Sequence, residues 1–152
     1  MATSKLKISG RLVLSLYGPD GELKDQRDVP NLVVGAGLGH IASRMVGTSS
    51  AVMSHLQLGT GSTAAAAANT ALETPLSPRN ALTGTTAGGS YNEQLTYTAT
   101  FIAGEATGSL REAGIFNASS GGTMLCRTVY PVVTKGAGDT LEVTWTVSLS
   151  AS

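Results

Sequence analysis

The chain reads as an all-β domain, an antiparallel β-sandwich or barrel-like fold with one short helix. Three observations predict this. Apolar and polar residues alternate in runs of strand length, glycine-rich turns separate the runs at hairpin spacing, and only Ala36–Val46 repeats apolar residues at helical spacing. The clearest run is Thr140–Leu149, where Leu141, Val143, Trp145, Val147 and Leu149 share one parity and Glu142, Thr144, Thr146 and Ser148 the other. Side chains of a strand point to alternate faces, so one face is built for a core and the other for water or a partner.

From the N-terminus, Lys5–Tyr17 places Leu6, Ile8, Leu12, Leu14 and Leu16 on one face and Lys7, Ser9, Arg11 and Ser15 on the other. Gly18-Pro19-Asp20-Gly21 is a turn, because proline presets its own φ and glycine accepts positive φ. Glu22–Val29 is the return strand, charged enough to sit at a sheet edge without recruiting a neighbour. In Ala36–Val46 the residues Leu38, Ile41, Ala42 and Met45 form the apolar stripe and Gly47 the C-terminal stop. Gly37 and Gly39 cost about 1 kcal/mol each inside a helix, and such small residues point to close packing against a sheet.

Ala51–Leu58 returns to strand. Ala64–Ala68 admits either a helical turn or an exposed arm, and Leu76–Gly89 reads as extended chain followed by loop. Tyr91–Ala103 turns Leu95, Tyr97, Ala99 and Phe101 to one face and Gln94, Thr96, Thr98 and Thr100 to the other. Ser109–Asn117, the turn Ala118–Gly122, Thr123–Val129 and the turn Thr134–Gly138 lead to the last strand, for about seven strands in all. The 152 residues make one domain, with residues 1–9 available as an assembly arm that adds a strand to a neighbouring sheet.

Charged residues are only 13% of the chain, about half the usual share, and ten basic residues balance ten acidic ones. A neutral surface rich in Thr, Ser and Gly repels neighbours poorly and suits a protein packed in an assembly. The basic residues are scattered singly, which argues against a nucleic-acid partner. No apolar stretch approaches the ~20 residues of a spanning helix, and MATSKLKISG lacks the apolar segment of a secretion signal. The lone Cys126 cannot form an internal disulfide, so synthesis in the cytoplasm is expected.

No catalytic constellation emerges. Gly59-Thr60-Gly61-Ser62-Thr63-Ala64 matches the G-x-G-x-x-A pattern of dinucleotide-binding turns, but the βαβ rhythm that pattern needs is missing, so a tight loop leaving a strand is expected. No serine sits in a G-x-S-x-G elbow for His40 or His55 to serve, which leaves a hydrolase as a remote alternative, and Cys126 with two distant histidines lacks zinc-site spacing. Glu105, Glu112, Asp139 and Glu142 are free to meet in space, yet no D-x-D-x-D-G loop marks a calcium site. Glu112 and Arg127 fall in strands that form a hairpin, where a cross-strand ion pair bordering the core fixes register. Cys126 reads as a small hydrophobe and Trp145 as a core anchor, while Tyr17, Tyr91, Tyr97 and Tyr130 are too dispersed for a binding stripe. The expectation is a protein with no enzymatic activity, catalytic residue, cofactor, metal or small-molecule substrate.

The runs LSLYGPDGELKDQRDVPNLVVGAGLGHIASRMVG, MSHLQLGTGSTAAAAANTALETPL and EAGIFNASSGGTMLCRTVYPVVTKGAGDTLEVTWTVSL resemble a family of small virion structural proteins of tailed bacteriophages. The similarity spans nearly the whole chain. Its most specific parts are Asn31-Leu32-Val33-Val34, Leu58-Gly59-Thr60-Gly61, Glu112-Ala113-Gly114-Ile115-Phe116-Asn117 and Gly138-Asp139-Thr140-Leu141. None of these motifs is catalytic. The resemblance implies a structural component of the virion, made in the host bacterial cytoplasm, and fixes the particle better than the position on it. One position is capsid decoration or cement, commonly a homotrimer bound outside the major capsid protein. The other is a tail-fibre or tail-tip component, an adaptor or host-receptor binder, against which the lack of fibrous repeats argues.

Overall fold

The computed structural model describes residues 4–47, 50–76 and 78–151. Among these residues ten strands form two antiparallel five-stranded sheets that pack face to face, with one helix at an end of the sandwich. Sheet A contains β1 (Leu6–Tyr17), β2 (Leu23–Pro30), β6 (Gly84–Gly88), β7 (Gln94–Phe101) and β10 (Thr140–Ala151), in the order β2-β1-β10-β7-β6. Sheet B contains β3 (Leu32–Val33), β4 (His55–Gly59), β5 (Asn80–Ala81), β8 (Gly108–Phe116) and β9 (Met124–Lys135), in the order β3-β9-β8-β4-β5. The helix α1 spans Gly35–Met45, and Gly47 beyond it takes the positive φ of a C-terminal stop.

Parity sets the core. Leu12, Leu14, Leu16, Tyr97, Ala99, Phe101, Leu141, Val143, Trp145 and Val147 point inward from sheet A, against Leu56, Leu58, Leu110, Ala113, Ile115 and Cys126 of sheet B. Trp145 is fully buried opposite Leu12 and Tyr97, and its indole N–H has no hydrogen-bond partner among the described residues. Cys126 is buried, and desolvation pushes its thiol pKa up, away from reactivity. The outer face of sheet A is the hydroxyl face, where Thr144, Thr98 and Val13 share one row and Thr146, Thr96 and Arg11 the next.

Several boundaries differ from the sequence expectation, each for a local reason. The strand expected from Ala51 begins at His55, where pairing with Phe116 starts; the preceding Ala51 carbonyl instead accepts from the Asn117 side chain. The strand Thr123–Val129 continues to Lys135 through Pro131, which sits at a register shift between β8 and β9, where a missing N–H is tolerated. The following turn therefore lies at Gly136–Asp139 rather than Thr134–Gly138. Lys135 Nζ donates to the Ile102 and Asp139 carbonyls, and Gly136 N–H donates to Asp139 Oδ2. Leu76–Gly89, expected as extended chain followed by loop, contains β5 and β6, and the two-residue β3 has no periodicity to announce it. Of the expected arm, Leu6–Ser9 already belong to β1 and pair with β10 out to Ala151, while residues 1–3 lie outside the described residues.

Candidate assembly surface

The sequence marks α1 as a helix with the apolar stripe Leu38, Ile41, Ala42 and Met45, and its small residues Gly37 and Gly39 as the means of close packing against a sheet. The structure packs the helix on sheet B through the first of these glycines. Gly37 is its one buried residue, pressed against the backbone of Leu125 in β9, where a side chain would stand inside contact distance of the Leu125 carbonyl. The absence of a Cβ permits this approach, so the small face of the helix packs inward. Ile41 follows one turn later and is half-buried against the core. Leu38 is 50% exposed and Met45 81%, with Val46 at 78% and Val52 at 61%. Most of the apolar stripe is therefore surface.

Beside it the sandwich opens into a cleft of about 440 Å³. Ile41, Met45, Val52 and Met53 line one side, Leu95, Tyr97, Val147 and Leu149 of sheet A the other, and Thr85 comes from β6. The ionisable side chains in the lining are His40, Arg44 and Tyr97. His40 Nδ1 lies 2.7 Å from Ser50 Oγ, and Arg44 donates to the Ser50 carbonyl at 2.9 Å. Burial, and then the Arg44 charge, lower the His40 pKa, which keeps the imidazole neutral at neutral pH. No carboxylate is among the lining residues, so His40 has none there to orient it as a base. His55 is in β4, its Nδ1 2.8 Å from Ser54 Oγ, outside the cleft lining. Chemically, the cleft can hold apolar groups.

The other singled-out residues form a clasp on the outer face of sheet B. Glu112 and Arg127 are 0% and 1% exposed and form the expected ion pair at 2.9 Å, diagonally across the hairpin, where Glu112 lies opposite Val129 and Arg127 opposite Gly114. Sequence reasoning missed what this pair holds. Glu112 Oε1 accepts from Gly61 N–H (3.1 Å) and Thr74 N–H (2.7 Å), and Oε2 from Glu73 N–H (3.0 Å). Arg127 donates to Thr63 O and Asn69 Oδ1, both at 3.0 Å. The glycine-rich turn thus wraps an internal carboxylate, and a methyl group at Gly61 would stand 2.6 Å from Glu112 Oε1. Glu73 in turn accepts from Ser62 and Thr63 N–H, and contacts with Thr63 hold its carboxyl below the usual range. With the loop pinned, Leu72 packs on Val34, Phe116 and Met124. The alanine run within it is neither helix nor strand.

The remaining acids are spread over separate contacts. Glu105 accepts from Asn80 and from Ile102 N–H, and Asp139 from Lys24 at 2.9 Å. Glu142 is exposed on β10 opposite Ser15 and Thr100. Among the described residues no group of three or more His, Cys, Asp or Glu is arranged to hold a metal ion. Among the same residues no helix is long and apolar enough to cross a membrane. Comparison with protein-family models, with curated proteins and with solved structures finds no match to this chain.

Proposed function

We propose that this chain is a structural virion protein, a capsid decoration or cement protein that binds the outside of a bacteriophage capsid and clamps neighbouring capsid subunits. Its partners on this reading are the major capsid protein and further copies of itself. It acts by binding, without catalysis or a cofactor. The observation that carries the reading is the exposed apolar face of α1 beside an apolar cleft. Exposed apolar patches mark sites of association. Fully covering one such side chain contributes about 1.5–3 kcal/mol, so several of them across a subunit boundary stabilise a shell by mass action. The low charge of the chain and its resemblance to small virion proteins supply the rest of the support.

Copy number per particle tests the proposal. Quantitative mass spectrometry of purified virions against the major capsid protein is expected to give a count approaching that of the capsid subunits. A few copies per particle would sink the decoration reading and move the protein to the tail, where host-surface binding becomes the activity to assay. Met45→Asp probes the surface itself. At so exposed a position the change leaves stability within about 0.5 kcal/mol and abolishes binding to particles that lack the protein.

A further inference from the structure

Unpaired strand edges template pairing with other chains, and folded proteins guard them with charge, proline or brevity. Sheet B ends in β3 and β5, which are two residues each. Sheet A ends on one side in β2, which carries Lys24, Asp25, Arg27 and Asp28, and the start of β1 that β2 leaves uncovered carries Lys7. The other end is β6. Its sequence, Gly-Thr-Thr-Ala-Gly, has no charge and no proline, and the flanking chain is uncharged from Asn80 to Asn92. Among the described residues β6 pairs only with β7, and Thr85 reaches the apolar cleft.

We propose that β6 pairs antiparallel with β6 of a second copy of this chain about a two-fold axis, joining two five-stranded sheets into one. Charge selects this occupant among the edges the chain offers. Asp25 and Arg27 of β2 share the inward parity of Leu16 and Leu14, so docking β2 of another copy on β6 would carry both to the level of the cleft. A second β6 brings no charge. Centred on Thr86, the pairing sets Thr86 opposite the partner's Thr86 and Thr85 opposite the partner's Ala87. β-branched cross-strand pairs of this kind suit a sheet. The same patch serves both copies, as an isologous contact requires, and the two apolar clefts come to lie near one another beneath the joined sheet. The contact belongs to the isolated chain and stands apart from the virion reading; it differs from the three-fold contact that the resemblance implies.

The test is the mass of the purified chain in solution by sedimentation equilibrium, with two variants. The wild type is expected to be a dimer. Thr86→Lys sets two ammonium groups across the axis and is expected to give a folded monomer whose melting no longer depends on protein concentration. Thr86→Cys under mild oxidation is expected to cross-link into a covalent dimer, and Gln26→Cys on the β2 edge is not; the buried Cys126 does not compete. A wild-type monomer, a trimer, or a dimer that survives Thr86→Lys or cross-links through Gln26→Cys instead would overturn the proposal.

Discussion

Replacing Arg127 by methionine keeps most of the side-chain volume and removes the cation from a carboxylate that has no access to water. Glu112 would retain its three backbone donors, from Gly61, Glu73 and Thr74, but lose the guanidinium at 2.9 Å. Deleting one partner of a buried pair costs about 3–5 kcal/mol, because the other charge stays buried. For a domain of this length each kcal/mol lowers Tm by about 2–4 °C, so a fall of roughly 6–20 °C is expected. In other proteins, replacing both partners by apolar residues restores stability. Here it is not expected to, since Glu112→Leu/Arg127→Met leaves three loop N–H groups without an acceptor, at about 1–3 kcal/mol each where they remain buried. Urea denaturation of wild type, both single variants and the double variant measures these terms, and hydrogen exchange reports the Gly61, Glu73 and Thr74 amides directly. A loss under about 1 kcal/mol for Arg127→Met, or a double variant as stable as wild type, would refute the clasp as the element that holds this loop.

Other expectations follow from the same geometry. Gly37→Ala forces the helix off the Leu125 backbone and is expected to cost about 1–3 kcal/mol in chemical denaturation, although alanine is the better helix former. Trp145→Ala empties the centre of the core and is expected to cost about 3–5 kcal/mol. Trp145→Phe should cost less than half of that, because the indole N–H it deletes leaves no acceptor unpaired. Asp139 has its carboxyl pKa held below the ordinary value by Lys24 first and the Gly136 N–H second. A depressed carboxylate contributes its full stability above the ordinary pKa of about 3.9 and loses it as pH falls through the folded value. Asp139→Asn is therefore expected to flatten the acid limb of Tm against pH, and an unchanged limb would assign that limb to other groups.

The parity of β1, β7 and β10 was legible because each has one face on the core, so the alternation in the residues matches the faces of the sheet. The charged edge strand β2 and the β8–β9 hairpin were legible for similar reasons, as was the pairing of Glu112 with Arg127. β3, β5 and β6 were not. Two of them are too short to show a period, and β6 is built of residues that read as loop and becomes a strand because β7 lies beside it. Helical spacing marked α1, and its glycines marked the close packing against a sheet that Gly37 makes. The spacing left open which way Leu38, Ala42 and Met45 face, and the approach of Gly37 to Leu125 turns them outward.

By itself the sequence determined the class of fold, the main strands, the core residues they point inward, and the lack of a catalytic motif. Those follow from local periodicity and composition, which any segment carries with it. Only the tertiary structure decided that a phosphate-like glycine turn encloses the protein's own Glu112, that an apolar helical stripe is a surface, and that one sheet edge is uncharged and open. Each of these depends on which distant segment arrives at a given face: Glu73 and Thr74 at Glu112, Leu125 at Gly37, and no described strand at the outer side of β6. Such pairings arise from the burial of the chain as a whole, and no window of sequence contains them.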